Sequence, residues 1–402
     1  MKFLFITGGV PSPIQQMHVF DLLTMLSGKH ESTVVSYDFA ESYRADSDIE
    51  LSSLANVSRV PLVRRSKLGR VIRSLFTLTP VAVQGSYNVA MQNAIVAALK
   101  KTDYDLVVFE QLVMGQYGGL AGDRPKLFFP VDSVSRLKRQ LFRNATNPLR
   151  KIAFALDHWM TKRYERRIYP QFDGVSFVSE VDATYVLANR QVDASKVFLF
   201  PLAVDTDYFV PSESRSDNGP SLVFLGSMFT YNNEDAILWF HRAVWGRLKQ
   251  QVPHLKFYVV GNRPSNQVRA LADHDPNVIV TGFLEDIRPP IWDATVFVSP
   301  LRMGTGIKNK ILEAMAMGKA IVASPVAVEG IGVTDGVHVL VAQNPDDWFK
   351  QSLFVLGDPR ERERLGRQAR EYVEKKYSLD AKISRFLDIV QQVRRSRHPI
   401  QD

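Results

Sequence analysis

Short apolar runs of strand length alternate with longer amphipathic stretches from one end of the chain to the other, and this alternation limits the architecture more than any other feature. In the first half the runs fall at residues 2–8, 32–37, 105–110, 126–132, 174–179 and 197–202. In the second half they fall at 222–226, 256–261, 278–283, 295–300, 320–324 and 338–341. Helical patterns such as 15–26, 87–100 and 182–189 lie between them. Strands that are apolar on both faces need cover on both faces, which parallel sheets flanked by helices provide. A chain of 402 residues also exceeds what one hydrophobic core usually supports. The expectation is therefore two doubly wound α/β domains, at 1–204 and 221–378. A linker at 205–220 carries Pro211 and the polar run 212–220. Residues 379–402 form a C-terminal helix that could pack back on the first domain.

Ligands of such folds bind beyond the carboxyl ends of the strands. The richest junction follows the run at 295–300, where Gly304-Thr305-Gly306 makes a two-glycine turn and a helix opens near Ile307. Its apolar face is Ile307, Ile311, Leu312 and Met315. Glycines let backbone amides approach an anion, and a helix N-terminus adds unpaired N–H groups and a favourable dipole. Arg302, Lys308 and Lys310 bring positive charge to the same turn, and Glu313 could accept hydrogen bonds from sugar hydroxyls. The residues alone weigh a diphosphate site evenly against an ordinary turn with a solvated basic rim.

Charge is distributed unevenly. The net charge is +8, and nearly all of the excess sits in the first half. No acidic side chain occurs between Glu50 and Asp103 or between Asp132 and Asp157. From Lys67 onward, Leu68, Val71, Ile72, Leu75 and Phe76 fall at helical spacing with Arg70 and Arg73 between them. Arg64 and Arg65 precede them. The pattern suits an anionic membrane surface, against the plainer reading of a solvated basic face. No nucleic-acid module accompanies the charge. The first apolar run is too short for a signal peptide, and no run approaches a bilayer span, so a cytoplasmic protein, peripheral at the inner membrane face, is expected.

There are no cysteines, which excludes disulfides and thiolate chemistry. No His or carboxylate cluster has metal-site spacing, and Asp205 and Asp207 read as structural. No metal or cofactor is expected.

The segment from Arg302 to Ser324, with Glu329-Gly330-Ile331, closely resembles the donor-binding region of the retaining, GT-B-fold glycosyltransferases of family 4. Leu202 to Phe209 looks like the segment that enters the interdomain linker there. Phe224-Leu225-Gly226-Ser227, Val259-Val260-Gly261 and Val280-Thr281-Gly282-Phe283 match later landmarks in order and spacing. The resemblance implies two Rossmann-like domains facing across a cleft. It implies transfer of a sugar from a UDP or GDP sugar to a saccharide or polyprenyl-diphosphate-linked acceptor, with retention, in surface polysaccharide or glycoconjugate synthesis. It assigns Glu313 to the nucleotide ribose and the backbone around Gly304, Thr305 and Gly306 to the diphosphate and sugar. Gly8, Gly9, Gly226, Ser227, Gly261 and Gly282 complete the donor set.

The departures also count. Thr305 stands where the family often has a glutamate, and Ser227 with Tyr231-Asn232-Asn233 stands where it has an Arg and a Lys. Arg302 and Lys310 are the candidates to replace that charge. Gln15-Gln16 occupies the place of a common glycine pair. Two frequent histidine positions hold Asp132 and Glu110, which become the catalytic candidates, able to orient or deprotonate an acceptor hydroxyl. The plainer alternative for each is a loop carboxylate bonded to nearby amides or an arginine. His18 and His158 read as surface or packing histidines. A nucleotide-sugar epimerase of the same architecture, or a nucleotide-sugar-binding protein without catalysis, remains the alternative.

Overall fold

The computed structural model describes residues 1–12, 17–38, 51–62, 66–145, 147–200, 202–212 and 219–397. Gln15, Gln16, Arg64, Arg65 and the polar run 213–218 lie outside them. The chain forms two compact units, one of residues 1–201 with 379–402, the other of residues 202–378.

The sheet of the first unit contains β1 (Lys2–Thr7), β2 (Glu31–Asp38), β3 (Asn56–Pro61), β4 (Leu106–Glu110), β5 (Lys126–Val131), β6 (Gly174–Phe177) and β7 (Val197–Leu199). All neighbours are parallel, in the order β3-β2-β1-β4-β5-β6-β7. β1, β4 and β6 are buried almost throughout, as strands with helices on both faces must be. β3 has no counterpart among the expected runs. It sits on the outer edge, half exposed, and ends at Pro61, so its residues lack the apolar density that marks the central strands.

The helix Leu379–Arg397 belongs to this unit. Phe386 packs on Phe3, Phe5 and Phe200 with ring centroids 5.6, 6.3 and 5.9 Å away. Beside it Lys382 is buried, its Nζ 2.7 Å from Asp21 Oδ2 on the helix Met17–Leu26. Burial holds the lysine below its ordinary pKa, and Asp21 opposes that shift.

The second unit has β8 (Ser221–Leu225), β9 (Lys256–Val260), β10 (Val278–Gly282), β11 (Val296–Ser299), β12 (Ile321–Ala323) and β13 (Leu340–Val341), all parallel, in the order β10-β9-β8-β11-β12-β13. Residues 202–212 pack on it: Trp292 Nε1 donates to Val210 O at 2.7 Å, and Arg370 reaches Phe209 O at 3.2 Å. In both sheets the winding direction reverses once, between β1 and β4 and between β8 and β11, which opens a crevice at those carboxyl ends.

Removing one partner of a buried ion pair strands the other charge in a low-dielectric site. Asp21→Ala is expected to lose about 3 kcal/mol of stability in urea titration, and Asp21→Leu with Lys382→Met to recover most of it. A single variant as stable as the parent would mean the pair does not anchor the C-terminal helix.

Candidate functional site

In the second unit, the carboxyl ends of β10, β9, β8 and β11 follow one another along one rim, ending at Gly282, Val260, Leu225 and Ser299. Gly226 and Gly261 are pressed together there: Gly226 N donates to Val260 O at 2.9 Å, and a Cβ on Gly261, whose φ is +153°, would lie 1.8 Å from Gly226 O. Ser227 Oγ donates to Asn262 Oδ1 at 2.6 Å, fixing the two loops to each other. Gly282, with φ +71°, faces open space on the outer strand.

Beyond β11 the chain passes through the turn Arg302 to Lys308, where Gly304 (φ +145°) and Gly306 (φ +67°) take left-handed backbone that other residues resist. The helix begins at Asn309, two residues later than the apolar pattern suggests, because Lys308 is still extended. Lys308 Nζ folds back on the carbonyls of Thr305 and Gly306. Its charge holds the turn closed.

Lys310 and Glu313 lie one turn apart on the helix Asn309–Ala316. Lys310 Nζ donates to Asn233 Oδ1 at 2.7 Å and lies 4.3 Å from the Phe224 ring centre. A side chain at position 226 would collide with it, since a Cβ there would be 2.6 Å from Nζ. Desolvation pushes the lysine pKa down to about 7, with Lys308 adding to the effect and Glu313 opposing it. Glu313 is buried, and desolvation pushes its carboxyl up to about 7 against the pull of Lys310. The neutral run at Asn232-Asn233 thus faces a cation delivered from the opposite side of the crevice. Arg302 does not join this group. Its Nε is 3.0 Å from Asp235 Oδ2, and its guanidinium is 6.0 Å from the Trp239 ring centre, along the helix Tyr231–Phe240.

In the first unit the crevice between β1 and β4 gathers Gly8, Gly9, Glu110 and His18. Thr7 Oγ1 donates to Gly9 O at 2.8 Å, and a Cβ on Gly8 would be 2.0 Å from Gln111 Oε1. The sequence places Glu110 at the end of an apolar strand, facing a cleft. In the structure its carboxylate is fully buried, because it turns to His18, whose Nε2 lies 2.8 Å from Oε1. His18 packs edge-on against Phe129, ring centres 5.0 Å apart, and keeps 12% of its side chain exposed. The histidine, not the carboxylate, therefore presents this pair to solvent. The reading of His18 as a plain packing histidine misses this partner. The available signal is its place in the first turn of the helix after the glycine loop. Asp132 is half-buried beyond β5. Gln111 (φ +71°) and Val131 (φ +72°) flank the two carboxylates with left-handed backbone that non-glycine residues seldom adopt.

His158 Nδ1 lies 2.9 Å from Ser135 O, at the start of the helix Val134–Asn144. Asp205 accepts the N–H groups of Asp207 and Tyr208 at 3.0 and 2.9 Å and so caps a turn. Among the described residues no group of three or more His or carboxylate side chains could hold a metal ion.

Residues 15–208 match the family model Glycosyltransferase Family 4, and residues 219–358 match the model Glycosyl transferases group 1. An uncharacterized 44.6 kDa protein in the cps region of Klebsiella pneumoniae is 22% identical over 213 residues, 51% of this chain and 53% of its own length. The match thus spans about half of that curated relative. Among solved structures, sucrose-phosphate synthase from Thermosynechococcus elongatus superposes with a TM-score of 0.73 at 16% identity, covering 98% of this chain and 99% of its own. Anabaena Alr3699/HepE, in complex with UDP, gives 0.71 at 13%, covering 97% and 100%. A glycosyltransferase from Rickettsia africae gives 0.68 at 14%, covering 98% of each. At these identities the structural likeness is one of fold.

The contact between Gly226 and Gly261 allows no Cβ on the latter. Gly261→Ala is expected to destabilise the second unit by more than about 2 kcal/mol in chemical denaturation. An unchanged transition would mean that the rim does not depend on this approach.

Proposed function

The chain is a GT-B glycosyltransferase carrying a Family 4 domain and a group 1 domain, and from that premise we propose that it moves a hexose from a nucleoside-diphosphate sugar to a hydroxyl of a lipid-linked saccharide. The observation that carries the reading is the pairing of a two-glycine turn and helix N-terminus with the buried Lys310 and Glu313. The Gly304–Gly306 amides and Lys310 would take the diphosphate, and Glu313 the ribose hydroxyls. Arg302, held by Asp235, is a weaker phosphate candidate than Lys310. UDP is the first base to test, because Anabaena HepE is found with UDP and with UDP-glucose. The cps-region relative supports polysaccharide synthesis as the setting.

The reaction forms a bond from the acceptor oxygen to the anomeric carbon and breaks the bond from that carbon to the diphosphate. Amides and Lys310 stabilise the charge that develops on the leaving group. With retention, which the family resemblance implies, acceptor and leaving group share one face of the sugar, and the acceptor proton passes to the departing phosphate oxygen. His18 and Asp132 then orient the acceptor hydroxyl, and Glu110 acts as a positioning residue through His18.

Nucleotide release from a donor panel, with and without a lipid-linked saccharide, tests the reading. Acceptor-dependent release is expected. Donor isomerised without acceptor would indicate an epimerase, and binding without turnover an inactive protein.

Lys310→Ala is expected to weaken nucleoside diphosphate ten- to about a hundredfold while sparing nucleoside. Glu313→Gln should weaken both by about tenfold. The lysine must be protonated to bind the anion, and burial pushes its pKa down to about 7. In the Glu313→Gln background, which removes the neighbouring carboxyl pushed up to about 7, nucleoside diphosphate affinity should therefore fall as pH rises above about 7, a slope absent when Lys310→Ala is added. Equal loss of both ligands in the lysine variant would remove it from the phosphate site.

His18→Ala should lower kcat by about a hundredfold with donor affinity unchanged. Glu110→Gln should lower kcat with donor affinity unchanged, and Glu110→Asp should restore part of it. A loss of stability with kcat unchanged would make the pair structural.

A further inference from the structure

An amphipathic helix on a globular unit normally turns its apolar face to the core. The helix Lys67–Thr77 does the reverse. Among its described side chains Ser74 is the buried one, its hydroxyl donating to Thr79 O and lying 3.7 Å from Met160 Sδ. Phe76 is 86% exposed and Leu68 71%, with Val71, Ile72 and Leu75 open beside them.

Met160 belongs to the helix Pro148–Ile168, whose outer side carries a second apolar stripe. Leu149, Ile152, Leu156 and Trp159 recur at helical spacing and are all exposed, Leu149 at 79% and Ile152 at 68%. Of the 17 large apolar side chains exposed among the described residues, 10 lie on these two helices or on Leu78, which caps the first. Scattered exposed apolar residues need no explanation, but a concentration of this kind marks an interaction surface.

The cations sit where an anionic partner would need them. A cavity of about 440 Å³ is lined by Leu78, Trp159 and Tyr164 together with Arg163, Arg166 and Arg167. Arg166 donates to Asn189 O at 3.1 Å and Arg167 lies 5.7 Å from the Tyr164 ring centre, and none of the three pairs with a carboxylate among the described residues. Arg150 and Lys151 are exposed on the same helix.

We infer that the helices Lys67–Thr77 and Pro148–Ile168 together form a membrane-docking face, which inserts its apolar stripes into the interface of an anionic phospholipid bilayer and receives lipid phosphates in the crevice of Arg163, Arg166 and Arg167. This rests on the proposed lipid-linked acceptor. A bilayer accepts an exposed apolar stripe and clustered arginines at once, its acyl boundary taking the first and its anionic phosphates the second. Charge attraction alone would vanish in high salt. Insertion of apolar side chains leaves a salt-resistant fraction.

The full chain is sedimented with phosphatidylcholine vesicles with and without phosphatidylglycerol, at low and high salt, with tryptophan emission as a second readout. Binding to the anionic vesicles, reduced but not abolished by salt, is expected, with a blue shift that disappears in Trp159→Phe. Leu149→Ser with Ile152→Ser should lower partitioning about tenfold or more, with UDP binding and circular dichroism unchanged because both side chains are solvent-exposed. Arg163, Arg166 and Arg167 replaced by Gln should remove most of the preference for phosphatidylglycerol. If the parent binds but the double serine variant binds equally and Trp159 is silent, the second helix is not in the membrane, and the inference fails while the lipid-acceptor reading stands. A parent that ignores anionic vesicles sinks both. Self-association that the double variant abolishes would give the face to a second copy and overturn the inference.

Discussion

A parallel strand cannot be reached from its neighbour by a tight turn, and this constraint sets everything else in the molecule. Among the described residues, each strand of the two sheets is joined to its partner in the sheet by a crossover that returns over one face. The crossovers cover both faces, so the strands can be apolar throughout, and the space left for polar chemistry is the rim at their carboxyl ends. Where the winding reverses, between β1 and β4 and between β8 and β11, adjacent crossovers diverge and the rim opens. Gly8, Gly9, His18 and Glu110 lie at the first opening, and Gly226 with the turn and helix from Gly304 to Glu313 at the second.

At each rim, buried ionisable groups are held by neighbours instead of being left to water. Lys310 has Asn233 and the Phe224 ring, and Glu313 lies one turn further along the same helix. Glu110 has His18. Beyond β5, Glu165 is fully buried and accepts hydrogen bonds from Ser135 N at 2.9 Å and Gln191 Nε2 at 2.9 Å. Burial still pushes its carboxyl up to about 7. A carboxyl raised in this way favours the folded state most when protonated, so its contribution declines as pH rises from the ordinary carboxylate range through about 7. Arg136 on Asp182, 3.3 Å apart, ties the same loop to the helix Glu180–Ala188.

Much of this was legible in the sequence. The apolar runs marked 12 strands because central parallel strands are apolar on both faces, and β3 escaped because an edge strand ending at Pro61 is not. The two-glycine turn could be read because left-handed backbone restricts residue type so strongly. Pairings across sequence distance could not. Nothing in Asn233 and Lys310, 77 residues apart, announces that one cradles the other, nor that Arg302 would turn to Asp235. His18 and Glu110 are linked only because β1 and β4 are neighbours in the sheet, a fact of topology and not of spacing.

The same distinction separates the two faces of the first unit. The periodicity of the helix Lys67–Thr77 reveals that it is amphipathic, and the sequence sets an anionic membrane surface against a solvated basic face without saying which way the helix turns. In the structure Ser74 is the buried residue, its hydroxyl donating to Thr79 O, and Leu68, Val71, Ile72, Leu75 and Phe76 are exposed. The helix Pro148–Ile168 meets it at Met160 and carries its own exposed stripe outward. A unit that buries its polar contact and exposes its leucines at two adjacent helices has placed that surface for an apolar partner, while at the rim around Gly8 the buried Glu110 is paired with His18, which alone of the two reaches solvent. Docking and chemistry therefore draw on different elements of one domain, so the apolar surface can be altered without disturbing the strand ends.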